Sequence, residues 1–228
     1  MSEKRIFTEA ELKEMGMRTR DLIDKAIDSG ELEKAKHLNH RMYAEWLSMH
    51  DLYVNWVTSL LSYIYEHHGM EVLYEAIRQC CTAWFKPIYD NILKAGDFRR
   101  KVEMFAIGLR GHLQPVEIEE DDEKVCLMMC PCGSGERLLQ SGGYEPPRSF
   151  SKIKEPHELT FGQPDFPIYC IHTPMTEILQ IEWSGYLLAV DEVPQDIKMG
   201  GCKYCMYKDP KDVPERFYTR VGKKKPKA

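Results

Sequence analysis

Between Glu31 and His68 the chain contains neither glycine nor proline, and this stretch limits most what the chain can become. Tyr43, Trp46, Leu47, His50, Tyr53, Val54, Val57, Leu60, Leu61 and Ile64 recur along it at three- and four-residue spacing. That pattern predicts one long helix with a buried face. Gly69 is expected to close it. A first helix is predicted over 8–30, where Thr8 and Glu11 have the spacing of a capping box. A third spans about 70–95 with Pro87 as an expected kink, and a fourth covers roughly 97–109.

The period changes near Pro115. Val116 and Ile118 alternate into the acidic turn Glu120–Glu123, and Val125, Leu127 and Met129 alternate out of it, which predicts a β-hairpin with Cys126 and Met128 on the opposite face. Residues 141–168, rich in Gly, Pro and Ser, are expected to form a long ordered loop. A strand over 166–172, a short helix from Thr173-Pro174 to Gly185, a strand over 186–190 and a helix opened by Asp212-Val213-Pro214-Glu215 complete the reading. The expected fold class is α+β, an N-terminal helical layer packed on a small C-terminal α+β unit. Its boundary falls between a helical domain, 1–112, and a metal-binding domain, 113–228. The aromatic stripe of the long helix carries enough apolar surface to serve a homodimer.

Charge and composition exclude some classes. With Lys+Arg 31 against Asp+Glu 36, the formal net charge is -5, which argues against a nucleic-acid partner. No apolar run is long enough for a membrane span, and Met1–Arg5 leads into a polar stretch without a signal-peptide pattern. A cytoplasmic protein is therefore expected. In that compartment the 8 cysteines should be metal ligands or buried thiols rather than disulfides.

Three groups concentrate soft ligands: Cys130-Pro131-Cys132, Cys170-Ile171-His172 and Cys202-Lys203-Tyr204-Cys205. Cys202 and Cys205 have the spacing of a zinc knuckle, preceded by Gly200-Gly201. Cys170 and His172, two apart on a strand, would share a face. The expected metal set is Cys132, His172, Cys202 and Cys205, with Cys130 and Cys170 as alternates. Zinc is the expected ion because of the histidine, and an iron–sulfur cluster on four thiolates is the alternative.

Other polar groups carry candidate chemistry. His50 sits in the apolar stripe before Asp51. Gly108 and Gly111 flank Arg110, with His112 next, at the junction of helices and strands, and Arg137 follows the Cys-Pro-Cys turn. A guanidinium suits a carboxylate ligand. Glu182, between Ile181 and Trp183, is expected to have a raised pKa; it or His112 would carry protons, with His50 as a further catalytic candidate lining the cavity.

The hexapeptide Cys130–Gly135 resembles the opening of the SEC-C zinc-binding motif, but Glu136-Arg137-Leu138-Leu139 follows it where that motif continues into a basic stretch. Over residues 45–90, His50-Asp51-Leu52-Tyr53 and His68-Gly69-Met70-Glu71, followed by a cysteine-containing half, resemble the L-2-amino-thiazoline-4-carboxylate hydrolase-like family. The resemblance implies a hydrolase or lyase acting on a small carboxylate that contains sulfur or nitrogen. The functional expectation is a zinc-dependent hydrolase or lyase for a small anionic metabolite; the alternative is a non-catalytic ligand-binding or regulatory protein with a structural zinc site.

Overall fold

Local capping decides how the chain starts. The Thr8 hydroxyl accepts the Glu11 N–H, and Glu11 reaches back to the Thr8 N–H at 2.7 Å. The computed structural model describes residues 6–112, 114–129, 131–192 and 201–227. The predicted first helix is two helices, α1 (Glu9–Met15) and α2 (Thr19–Asp28), because Gly16 caps α1 and Arg18 turns extended before α2. The long helix α3 (Leu32–Leu93) breaks only at Gly69, whose φ of 79° is cheap for glycine alone. Pro87 lies inside α3 without a backbone break. Asp97 caps α4 (Phe98–Arg110), its carboxylate accepting the Arg100 N–H.

The chain divides into two compact units, Met1–Tyr53 and Val54–Ala228, so the division falls inside α3 and not at the expected 112/113. The reason lies in the second unit's main core, where Leu61, Leu73, Ile77 and Cys81 of α3 pack among Ile153, Leu159, Phe166 and Ile178. In the first unit a smaller core joins Leu22 and Ala26 of α2 to Ala35 and Leu38 of α3. Of the predicted α3 stripe, Val54 and Leu61 are buried, whereas Tyr53, Val57 and Leu60 are exposed.

The predicted hairpin is present as β1 (Glu117–Glu120) and β2 (Lys124–Met129), joined by the acidic turn. The Cys-Pro-Cys-Gly segment leads from it into α5 (Gly135–Gln140). Inside the 141–168 segment runs β3 (Lys152–Ile153), which pairs with β4 (Phe166–Pro167). The strand expected over 166–172 stops at Pro167, which lacks an amide proton for the ladder; a 3₁₀ turn, Ile168–Ile171, follows, and α6 starts at His172 and runs to Ser184. Gly185 closes α6 in a left-handed conformation, φ 80°.

The strand expected over 186–190 shrinks to β5 (Val190–Asp191) because α6 side chains satisfy the backbone there. The side-chain oxygen Oε1 of Gln180 accepts the N–H groups of Leu188 and Ala189, at 2.9 and 3.2 Å. After β6 (Cys202–Tyr207), α7 (Glu215–Thr219) follows. The main sheet is antiparallel with order β1-β2-β6-β5. Leu127 and Met129 of its one face pack on Ala106 and Leu109 of α4; Cys126, Val190 and Tyr207 of the other pack on Phe217 and Tyr218 of α7. The fold is α+β. Among the described residues no helix is long and apolar enough to cross a membrane.

Candidate functional site

Sheet register separates the two cysteines of the supposed knuckle. Cys202 and Cys205 lie on β6, where an odd spacing sends side chains to opposite faces. Cys205 pairs directly with Cys126 of β2, and with their Cα atoms 4.1 Å apart the two form a disulfide. Its sulfur is thereby unavailable to a metal. The expectation that the cysteines remain thiols fails at this pair, because adjacent strands bring them face to face.

Cys202 emerges on the other face, and there the distant segments meet. Cys132 and Cys202 belong to one packed cluster with Tyr204. The Cys132 sulfur accepts a hydrogen bond from the Cys202 thiol and from the backbone N–H groups of Ser134, Gly135 and Glu136. The turn closes on itself, since the Cys132 N–H donates to Glu136 Oε2 at 2.8 Å. Glycine is needed at two places: a Cβ on Gly135 would stand 2.8 Å from Cys170 Sγ, and one on Gly133 would stand 2.9 Å from His112 Cβ. The turn therefore seats against both Cys170 and His112.

The electrostatics follow from this packing. The Cys202 thiol hydrogen bond, outweighing burial, and then the three amides hold the Cys132 thiol well below its ordinary range. Cys202 is raised in return, first because it donates to Cys132 and then by burial. Burial raises Cys170 too, with Cys132 and Asp191 adding to it. Burial lowers His172, against the opposing effect of the Tyr169 carbonyl. His172 Nδ1 lies 2.8 Å from that carbonyl, which can only accept, so the proton sits on Nδ1 and a neutral ring keeps its lone pair on Nε2. Cys170, His172, Cys202 and Tyr204 are only partly buried, so the cluster is not sealed.

A second buried group borders the first. Asp191 and Glu177 are each 2% exposed, and Glu177 Oε1 accepts the Asp191 N–H at 2.7 Å. Arg220 Nη2 meets the same oxygen at 2.5 Å while its guanidinium lies 3.9 Å from the Phe161 ring centroid. Burial lifts Glu177 to about 7 against the pull of Arg220 and the Asp191 amide. Burial, then Glu177, raises Asp191 well above the usual carboxylate range. One oxygen of Asp191, Oδ1, is buried without a hydrogen-bond partner among the described residues.

Of the other predicted groups, His112 borders this cluster through the Gly133 turn, and Glu182 is committed to ion pairs. Glu182 pairs with Arg78 at 2.5 Å and Lys223 at 2.8 Å. Partial burial alone would raise it, but the two cations leave it lowered, so it is no proton carrier near neutral pH. Arg110 is exposed at the end of α4, and Arg137 is partly buried on α5. His50 belongs to the first unit, 3.1 Å from Asp51 Oδ1 and stacked on Trp46. His112 contacts the cysteine turn and has Nδ1 3.1 Å from the Leu109 carbonyl.

Cys130 lies outside the described residues. Among the described residues no group of three or more His, Cys, Asp and Glu has the geometry to hold a metal ion. Sequence reading missed Asp191, Glu177 and Arg220. Their signal was an acid at the end of the apolar run Leu187–Val190 and another inside the apolar helix segment Met175–Leu179. The chain matches no family model, no curated protein and no solved structure.

Proposed function

We propose that the chain is a cysteine-dependent hydrolase for a small molecule, with Cys132 as nucleophile. The observation that carries this reading is the set of donors on one sulfur, a thiol and three backbone amides, which favours the thiolate. Cys132 attacks an electrophilic carbon of the substrate and expels the leaving group, which takes its proton from the Cys202 thiol. Water then attacks the enzyme-bound acyl or acyl-like carbon. The Nε2 lone pair of His172 accepts a proton from that water, and the Cys132 thiolate departs. Return of the proton from His172 to Cys202 restores the resting site. The resemblance to the thiazoline-carboxylate hydrolase-like family supports the same reaction class and a small substrate containing nitrogen or sulfur.

The test uses p-nitrophenyl acetate as an artificial acyl donor and peptide mass spectrometry as readout. An acetyl adduct on Cys132 and a nitrophenolate burst are expected, both lost in Cys132→Ser. Acetylation spread evenly over Cys80, Cys132 and Cys170 would defeat the reading. A second reading, zinc held by Cys132, Cys170, His172 and Cys202, is favoured by the His172 tautomer, which is that of a metal ligand whose other nitrogen is fixed by a carbonyl. It requires the four groups to draw closer than they stand. Elemental analysis of anaerobically purified protein separates the two: zinc bound one per chain, with Cys132 slow to acylate until a chelator is added, supports the metal.

A further inference from the structure

Strand register places Asp191 at the cysteine site. Its Cα pairs with Tyr204 across β5 and β6, so its side chain leaves the sheet on the face that carries Tyr204 and Cys202. The Lys203 N–H and the field of Cys132 both act on its carboxyl group. Yet Oδ1 has no hydrogen-bond partner among the described residues, although the residue is 2% exposed. Buried acceptors are nearly always satisfied, and an exception calls for a missing donor.

The chemistry of that donor follows from the charges around it. Two carboxyl groups, Glu177 and Asp191, face one guanidinium, and Arg220 is committed to Glu177 through Nη2 at 2.5 Å and Nε at 3.3 Å. Among the described residues, two nearby cations have carboxylates of their own: Lys203 Nζ stands 3.9 Å from Glu119, and Arg216 stands 3.9 Å from Glu192. If both were ionised, the two carboxyl groups and the Cys132 sulfur would outnumber the one guanidinium facing them among the described residues. Burial, joined for Asp191 by repulsion from Glu177, accordingly holds both carboxyl groups above the usual carboxylate range. A group that both donates N–H and carries positive charge would satisfy Oδ1 and offset that excess.

We propose that Asp191 receives a protonated amine of the substrate, so that the site takes a small primary-ammonium compound with its reactive carbon at Cys132. This rests on the nucleophile reading and narrows it by naming the substrate's polar end. The incoming ammonium draws Asp191 into its ionised form, the displaced proton passing to solvent, and Oδ1 then accepts from the ammonium while the Lys203 amide holds the carboxylate in place.

The experiment labels Cys132 in the full-length protein with 2-aminoethyl, methyl and 2-sulfonatoethyl methanethiosulfonate, each rate normalised to that of a free thiol and read at Cys132 by mass spectrometry. Each reagent transfers its thioalkyl group to the Cys132 sulfur and releases methanesulfinate. The aminoethyl reagent is expected to outpace the sulfonatoethyl one by about tenfold or more, and Asp191→Asn is expected to bring the ratio down towards that of the free thiol. An undiminished ratio in Asp191→Asn overturns the proposal, since the preference would then come from the thiolate alone. A melting experiment is independent of labelling: methylammonium chloride should raise the melting temperature above that in potassium chloride in the wild type and not in Asp191→Asn. Equal shifts in both proteins overturn the ammonium site. Failure of Cys132 to react with any reagent, alongside an intact methylammonium effect, removes the nucleophile and leaves the ammonium site standing.

Discussion

Replacing Glu177 by glutamine should remove a pH dependence that the fold imposes. Burial holds this carboxyl group at about 7 against an ordinary 4.5, despite the opposing pull of Arg220 and the Asp191 amide. A group raised in the folded state favours folding when protonated. Its contribution is therefore complete below about pH 4.5 and is lost as pH rises through 7. A difference of 2.5 pH units between the two printed values corresponds to about 3 kcal/mol. Denaturant unfolding at pH 4, 5, 6, 7 and 8 should thus show wild-type stability falling by about 3 kcal/mol relative to Glu177→Gln across that window. Asp191 is raised partly by Glu177, so the glutamine variant also relieves its neighbour, and the curve belongs to the pair. A flat difference from pH 4 to 8, or wild-type stability gaining with pH, would mean that Arg220 keeps Glu177 ionised throughout. The argument from burial would then be wrong.

Three further outcomes follow from particular contacts. A Cβ on Gly143 would lie 2.7 Å from Leu138 Cδ1 and 2.9 Å from its carbonyl, so Gly143→Ala should cost about 1–3 kcal/mol in thermal or chemical unfolding. The Cys126–Cys205 disulfide spans a sequence separation of 79; the double serine variant should lose about 4 kcal/mol, and peptide mapping without reductant should recover the two residues linked. Glu182→Gln breaks partly exposed ion pairs with Arg78 and Lys223, so it should cost less than about 1 kcal/mol and leave Cys132 acetylation unchanged. A large effect of that substitution on labelling would return Glu182 to the site.

The sequence alone determined the features that depend on residues a few positions apart. The Thr8–Glu11 capping box, the break at Gly69, the 117–129 hairpin with its acidic turn and the α6 stop at Gly185 all appear in the structure. Each rests on local hydrogen bonds or backbone freedom. The period-2 rule was legible as well, but it was applied to 166–172, where Pro167 and a 3₁₀ turn interrupt the strand. Spacing likewise suggested that Cys202 and Cys205 would bind together, whereas on a strand the same spacing sends them apart. Only the pairing of β2, β5 and β6 decided that Cys205 meets Cys126 while Cys202, Cys132 and Asp191 come to one region. Register between remote strands depends on which faces the whole core buries, and no local window of the sequence contains that information.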